Sequence, residues 1–198
     1  MSKFINKSEE TNYNAKKKYG QNFLEDNNLL LEIIESASLT DETEVIEIGP
    51  GLGFLTDILI KKSKKITAFE IDKGLIPILT KKFGDNDNFE LINEDFLAYD
   101  LNKIVEGKKN IKVVANIPYY ITSPIISRLL EFRSNISEIY LMVQKEVAER
   151  IASKPNSKNM SILTHSVQFF AEAEYLFTVK KEMFTPVPKV DSAFLKIK

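Results

Sequence analysis

Behind a polar, aperiodic opening, the apolar side chains of this chain fall into two rhythms that take turns along its length. Leu29, Leu30, Ile33, Ile34 and Ala37 recur at helical spacing, with Asp26 or Asn27 in place as a cap. "EVIEIGPGLG" (44–53) then reads as a strand running into a glycine turn, and "FLTDILIKKS" as the helix that the turn opens. The alternation returns as strand "KITAFEID", helix "KGLIPILTKKF", strand "NFELINED", an irregular or helical stretch to about 108, and strand "IKVVAN". Ser123 is positioned to cap the next helix, with Pro124 pre-set at its first position. "SEIYLMV" is a fifth strand, "QKEVAERIA" a helix closed before Pro155, and "MSILTHSVQFF" another. "EYLFTV" and "SAFLKIK" alternate residue by residue and suit a terminal antiparallel pair.

Strand alternating with helix predicts an α/β fold: a mostly parallel, Rossmann-like sheet of seven strands with helices on both faces. Right-handed crossovers put the carboxyl ends of the parallel strands on one side, where open sheets of this kind bind ligands. Four polar clusters fall at such ends: 47–53, 70–72, 94–96 and 116–119. Their convergence on one crevice is the positional basis for a site.

Composition narrows what the site can do. With 198 residues, 43% of them hydrophobic, the chain suits one substantial core, assigned here to residues 19–198, behind a mobile basic arm over 1–18. It has no cysteine and one histidine, His165, so neither a thiolate cluster nor a several-imidazole zinc site is expected, and no metal is assigned. No apolar run approaches the ~20 residues of a membrane span, and the opening segment lacks the apolar core of a signal peptide, which points to the cytoplasm and away from membranes. The net charge of −1 does not choose a partner. Lysine runs at 16–18, 61–65, 81–82 and 180–181 read singly as solvated faces, although the first precedes a segment expected to line the pocket and could meet phosphates.

The loop "EIGPGLG" (47–53) sets three glycines at alternate positions between strand and helix, where a ligand can touch backbone without meeting a Cβ. A nicotinamide dinucleotide loop wants a third glycine where this chain has Phe54. Glu47, opening the loop, suits a cationic ligand better than a pyrophosphate. S-adenosylmethionine carries a sulfonium and an ammonium group and no phosphate, and fits these surroundings. Glu70 ends the second strand, where an acid accepts hydrogen bonds from both ribose hydroxyls. Asp95 ends the third and can accept from an adenine amine, with Phe96 or Ile71 on the ring face. Asp72 and Glu94 read as solvated or capping carboxylates.

A methyl donor requires an acceptor, and "ANIPYYITSPI" (115–125) suits the exocyclic amine of a base. Such an amine is a poor nucleophile because its lone pair is delocalised into the ring. The Asn116 side-chain oxygen and the Ile117 or Pro118 carbonyl can each accept one N–H, aiming the lone pair at the methyl group. Pro118 fixes the turn and has no N–H to compete. Tyr119 can stack on the base and favour positive charge developing on the amine. No general base is needed before transfer, and positioning supplies most of the rate.

"GQNFL" (20–24), "EIGPGLG", "EID" (70–72), "EDF" (94–96), "NIPYYITSPI", "MVQKEVAERI" and "FTPVPKVDSAF" together resemble the KsgA/RsmA family of ribosomal RNA adenine dimethyltransferases, from about residue 16 to the end. The resemblance implies a Rossmann-like methyltransferase fold and transfer of two methyl groups from S-adenosylmethionine to N6 of each of two adjacent adenosines near the 3′ end of small-subunit ribosomal RNA. It further implies a monomer acting on a pre-30S particle. By motif position, Asn22 and Leu24 close over the methionine part of the cofactor, and Gly49 and Gly51 meet it through backbone. Glu70 holds the ribose, Asp95 the adenine amine, and Asn116 is shared between cofactor and target base. Phe184 is placed as a second stacking face opposite Tyr119. Two features depart from the family pattern. Family members usually continue into a small helical domain after the sheet, so this sequence, which reads to its last strand, is expected to be the catalytic domain alone, and "KNMSIL" (158–163) lacks the Tyr-Gly expected before the corresponding Ser, which affects local loop geometry.

Three other readings remain. An Erm-type enzyme methylates an adenine of large-subunit ribosomal RNA and shares the Asn-Ile-Pro-Tyr turn, but "YYITSPI" and "FTPVPKVDS" favour the first family. A non-catalytic RNA-binding assembly factor would have no use for a cofactor crevice. A generic DNA adenine methyltransferase usually carries Asp or Asn followed by Pro-Pro.

Overall fold

The computed structural model describes residues 13–154 and 160–198. Residues 1–12 of the expected arm over 1–18, and Lys158 and Asn159 of "KNMSIL", lie outside the described residues. Seven strands form the central sheet: β2 (Glu44–Ile48), β3 (Lys65–Phe69), β4 (Phe89–Ile92), β5 (Ile111–Asn116), β6 (Ile136–Gln144), β7 (Ala173–Val179) and β9 (Ser192–Ile197). Their order is β4-β3-β2-β5-β6-β9-β7. The first five pair in parallel, and β9 runs antiparallel between β6 and β7. The predicted α/β sheet and its terminal antiparallel pair are both present. A separate ladder of two residues per strand joins β1 (Phe23–Leu24) to β8 (Phe184–Thr185).

Apolar runs mark the central strands because both faces of the sheet are covered. Along β5, Val113 and Ala115 pack on one face with α5 (Thr122–Glu131), while Val114 packs on the other with α1 (Asn27–Ala37) and α2 (Phe54–Lys62). Along β6, Ile139, Leu141 and Val143 alternate in the same way with Tyr140 and Met142. Leu52, Leu75, Leu79 and Phe83 pack a smaller cluster around α3 (Ile76–Phe83).

The connections depart locally from the periodicity. Asp26 caps α1, accepting from Leu29 N at 2.9 Å. Helix α5 starts at Thr122 without a side-chain cap, so Ser123 and Pro124 lie inside its first turn. A 3₁₀ turn over Tyr119–Ile121 runs straight into the helix, and proline is tolerated there because first-turn N–H groups have no intrahelical partner. The last short elements are α4 (Asn102–Val105), α6 (Lys145–Ile151) and α7 (Ile162–Phe170), the last capped by Ser161. No helix among the described residues is long and apolar enough to cross a membrane.

Candidate active site

Strands β2 and β5 are neighbours at the centre of the sheet, yet the chain leaves β2 toward β3 and leaves β5 toward β6. Their following loops therefore part at a topological switch point and open a cleft there. The cleft is walled by the loops after β2, β3, β4 and β5 and roofed by residues 19–24. Asn22, Leu24, Gly49 and Gly51 line it; so do Glu70, Ile71, Asp95 and Phe96, and on the far side Asn116, Pro118 and Tyr119.

The half beside β2 and β3 can hold a nucleoside. Glu70 is 4% exposed and accepts from Asp72 N at 2.8 Å and Gly51 N at 3.3 Å. Burial pushes its carboxyl up to about 7 even though those backbone donors favour the ionised form. Hydroxyl donors from a ribose would restore the hydration that burial removes. Gly49 has a φ of 70°, and a Cβ placed on it would meet nothing within 4 Å, so the backbone faces open space that a ligand can enter. Asp95 is exposed, its Oδ1 holding Leu97 N at 2.9 Å, and Phe96 is buried edge-on to Phe69. Buried acid, bare backbone and apolar wall together fit S-adenosylmethionine.

Glu47 lines the cleft and also has a structural partner that the sequence did not show. It is 1% exposed and accepts from the Thr56 hydroxyl at 2.8 Å. Burial raises its carboxyl to about 8, with nearby Glu70 adding to the rise and the Thr56 bond opposing it. In the cofactor-free protein burial favours the neutral acid, which braces the loop against α2 through Thr56, while Glu47 still lines the cleft.

The roof is fastened at a point that the sequence reading treated as solvated. Asp72 is 1% exposed, and its carboxylate receives Lys16 Nζ at 2.7 Å, Gln21 Nε2 at 3.1 Å, the Tyr13 hydroxyl and Gly74 N at 2.9 Å. Burial alone would raise its pKa, but these donors outweigh it and hold the carboxyl down at about 2. Gln21 Oε1 also accepts Lys16 N at 2.7 Å and lies 3.0 Å from the Tyr13 hydroxyl oxygen, closing the network. The expected mobile arm thus does not reach residue 18: from Tyr13 onward the chain is a strap tied across the cleft. A sequence signal existed, since "EID" places a second acid two residues after the ribose candidate. Its partners, 51 to 59 residues away, could not be read.

At the far side, Asn116 ends β5 half-buried, and its Nδ2 donates to Asn22 O at 3.0 Å. The amide is thereby oriented, and its Oδ1 is the atom left to accept from an incoming amine. Pro118 O accepts Ile121 N at 3.3 Å to close the 3₁₀ turn, which favours the Ile117 carbonyl as the second acceptor. The half-buried Tyr119 ring is pinned by its hydroxyl, 2.5 Å from Ser192 Oγ. Phe184 is the correction here. Its backbone pairs with Leu24, and its ring, 1% exposed, packs with Leu24, Tyr140 and Phe194 in the core. It supports the roof from behind and offers no stacking face opposite Tyr119.

Comparison with known proteins agrees with this geometry. The sequence profile of the ribosomal RNA adenine dimethylase family matches residues 12–198. A curated relative, the ribosomal RNA small subunit methyltransferase A of Fusobacterium nucleatum, is 51% identical over 187 residues, covering 94% of this chain and 70% of that protein. The protein of the same name from Lactococcus lactis is 49% identical over 189 residues, covering 93% and 64%. The chain thus spans about two thirds of the length of these relatives. Among solved structures, a dimethyladenosine transferase from Plasmodium falciparum aligns with a TM-score of 0.78 at 33% identity, covering 88% of this chain and 62% of that one. The 23S ribosomal RNA methyltransferase ErmE aligns with a TM-score of 0.79 at 33% identity, covering 89% and 69%.

Proposed function

The chain belongs to the ribosomal RNA adenine dimethylase family, and on that premise we propose that it transfers methyl groups from S-adenosylmethionine to N6 of two adjacent adenosines near the 3′ end of small-subunit ribosomal RNA. The observation that carries this reading is the fixed Asn116 amide at the junction of the two halves of the cleft. S-adenosylmethionine supplies, when bound, a methyl carbon made electrophilic by a sulfonium. Glu70 and the loop at Gly49 would hold the nucleoside part of that molecule, with Asp95 at its adenine edge. Asn116 Oδ1 and the Ile117 carbonyl would each accept an N6–H, turning the amine's lone pair toward the cofactor half. Tyr119, its ring immobilised through Ser192, would stack on the adenine and stabilise positive charge developing at N6. The departing N6 proton can pass to water, so no side-chain base is required.

The natural substrate in this reading is a pre-30S particle, and the protein acts as a monomer in the cytoplasm. The greater identity to the small-subunit enzymes than to ErmE supports this choice of particle. The direct comparison is methyl incorporation from labelled cofactor into purified small and large subunits lacking the modification. Label should enter the small subunit; label confined to the large subunit would replace this reading with the Erm-type one.

A further inference from the structure

Tyr120, the second tyrosine of the "PYY" turn, is 61% exposed at the rim of the cleft. One edge of it lies against the strap. A Cβ built on Gly20, where φ is 59°, would lie 3.2 Å from Tyr120 Cδ1 and 3.3 Å from Cε1, so glycine there lets the ring lie close to the backbone of residue 20. Tyr19 lines the same rim, with Lys18 Nζ 4.5 Å from its ring centroid. Lys17 and Lys18 are exposed, whereas Lys16 is committed to Asp72. Partial burial and the nearby Asp95 charge raise the Tyr120 phenol above its ordinary pKa.

A large exposed aromatic on the same rim as exposed ammonium groups has the chemistry of a single-stranded nucleic acid platform: a base stacks on the ring and a phosphate meets the lysines. Tyr120 directly follows Tyr119, the ring assigned above to the target base, and consecutive nucleotides of an unstacked strand can occupy consecutive rings. Resting on the function proposed above, we propose that Tyr120, with Tyr19 and Lys18, forms a subsite that holds the nucleotide adjacent to the target adenosine. For a substrate with two neighbouring target adenosines, one base occupies the Tyr119 site while the other waits on Tyr120. Pocket and platform share one loop, so a shift of a single nucleotide carries the waiting base into the Tyr119 site for the next round.

The decisive experiment is a cycle between protein and RNA. Short single-stranded RNAs carrying two adjacent adenosines, with either an adenine or an abasic site at the flanking position, are titrated into the parent and Tyr120→Ala proteins. With the intact RNA, Tyr120→Ala should weaken binding by about 5- to 100-fold, the range for losing one base–aromatic stack. Removing the flanking base should cost the parent a similar factor and Tyr120→Ala almost nothing, while Tyr120→Phe should behave as the parent. Lys17→Gln with Lys18→Gln should flatten the salt dependence of binding. S-adenosylmethionine binding, measured by calorimetry, should be retained in Tyr120→Ala, which shows that the fold stands. Equal losses from the abasic site in parent and Tyr120→Ala, or no binding of these RNAs by the parent at low salt, would overturn the subsite. Failure of the parent to methylate either ribosomal subunit would instead overturn the function on which the subsite rests.

Discussion

Replacing Glu47 with glutamine should make the cofactor-free protein progressively more stable than the parent as pH rises. The carboxyl is fully enclosed, and burial lifts it from 4.5 to about 8. A carboxyl with a raised pKa binds its proton more tightly in the folded than in the unfolded chain. Its contribution to stability is therefore complete below about 4.5 and is lost as pH climbs through about 8. At ~1.4 kcal/mol per pH unit between the two pKa values, the loss by pH 9 is at most ~5 kcal/mol; relaxation of the buried site makes ~2–4 kcal/mol the working figure. Glutamine does not titrate, and its amide oxygen can still accept the Thr56 hydroxyl now bound at 2.8 Å. Its extra N–H groups cost ~1–3 kcal/mol if unpaired, but that offset is the same at every pH. The quantity to follow is thus the slope, from urea unfolding of both proteins at pH 5 through 9. The stability difference, variant minus parent, should grow by ~2–4 kcal/mol across that range. A difference that stays flat, or that shrinks with pH, would mean that Glu47 is ionised in the folded protein and that the neutral-brace assignment is wrong.

Asp72→Asn removes the anion that ties Lys16, Tyr13 and Gln21 to the cleft wall, and hydrogen bonds to a charged group contribute ~1.5–3 kcal/mol each at most. Calorimetry should show S-adenosylmethionine binding weakened by roughly tenfold or more, with faster dissociation; unchanged affinity would mean that the strap does not cover the cofactor. Glu70, raised to about 7 by burial, accepts from both ribose hydroxyls through both oxygens only once it has lost its proton. Cofactor affinity should therefore rise between pH 5 and 7 by up to ~10-fold per unit and level off above, a slope that Glu70→Gln should abolish. Asn116→Ala should lower single-turnover methylation by ~10²–10³, the usual cost of one preorganised polar contact at a reacting centre. Tyr119→Phe should keep most of the rate because the ring remains, although Ser192 loses its 2.5 Å partner; a Phe variant as inactive as Tyr119→Ala would assign the role to the hydroxyl instead.

The architecture was legible because it rests on local information. Continuous apolar runs such as "IKVV" announced strands covered on both faces, and their alternation with helical spacing predicted the order of elements. The strand-end rule then brought Gly49, Glu70, Asp95 and Asn116 into one cleft without any contact being known. What stayed hidden depends on long-range placement. Asp72 looks like any carboxylate after a strand until Tyr13 and Lys16 fold back onto it. Phe184 carries the right ring for stacking, but its two-residue pairing with β1, too short to leave a periodic trace, turns it into the core. Glu47 was read by its formal charge, whereas complete enclosure by the sheet and α2 decides its protonation.

The central claim is that the cleft at the carboxyl ends of β2 to β5 methylates adenine N6 in small-subunit ribosomal RNA. Its most direct measurement is mass spectrometry of nuclease-digested ribosomal RNA after incubation of unmodified small subunits with the protein and isotope-labelled S-adenosylmethionine. The expected result is labelled N6,N6-dimethyladenosine at two neighbouring positions near the 3′ end, absent when Asn116→Ala replaces the parent. No labelled adenosine, label on a different base or a different atom of adenine, or the same yield from Asn116→Ala would contradict it.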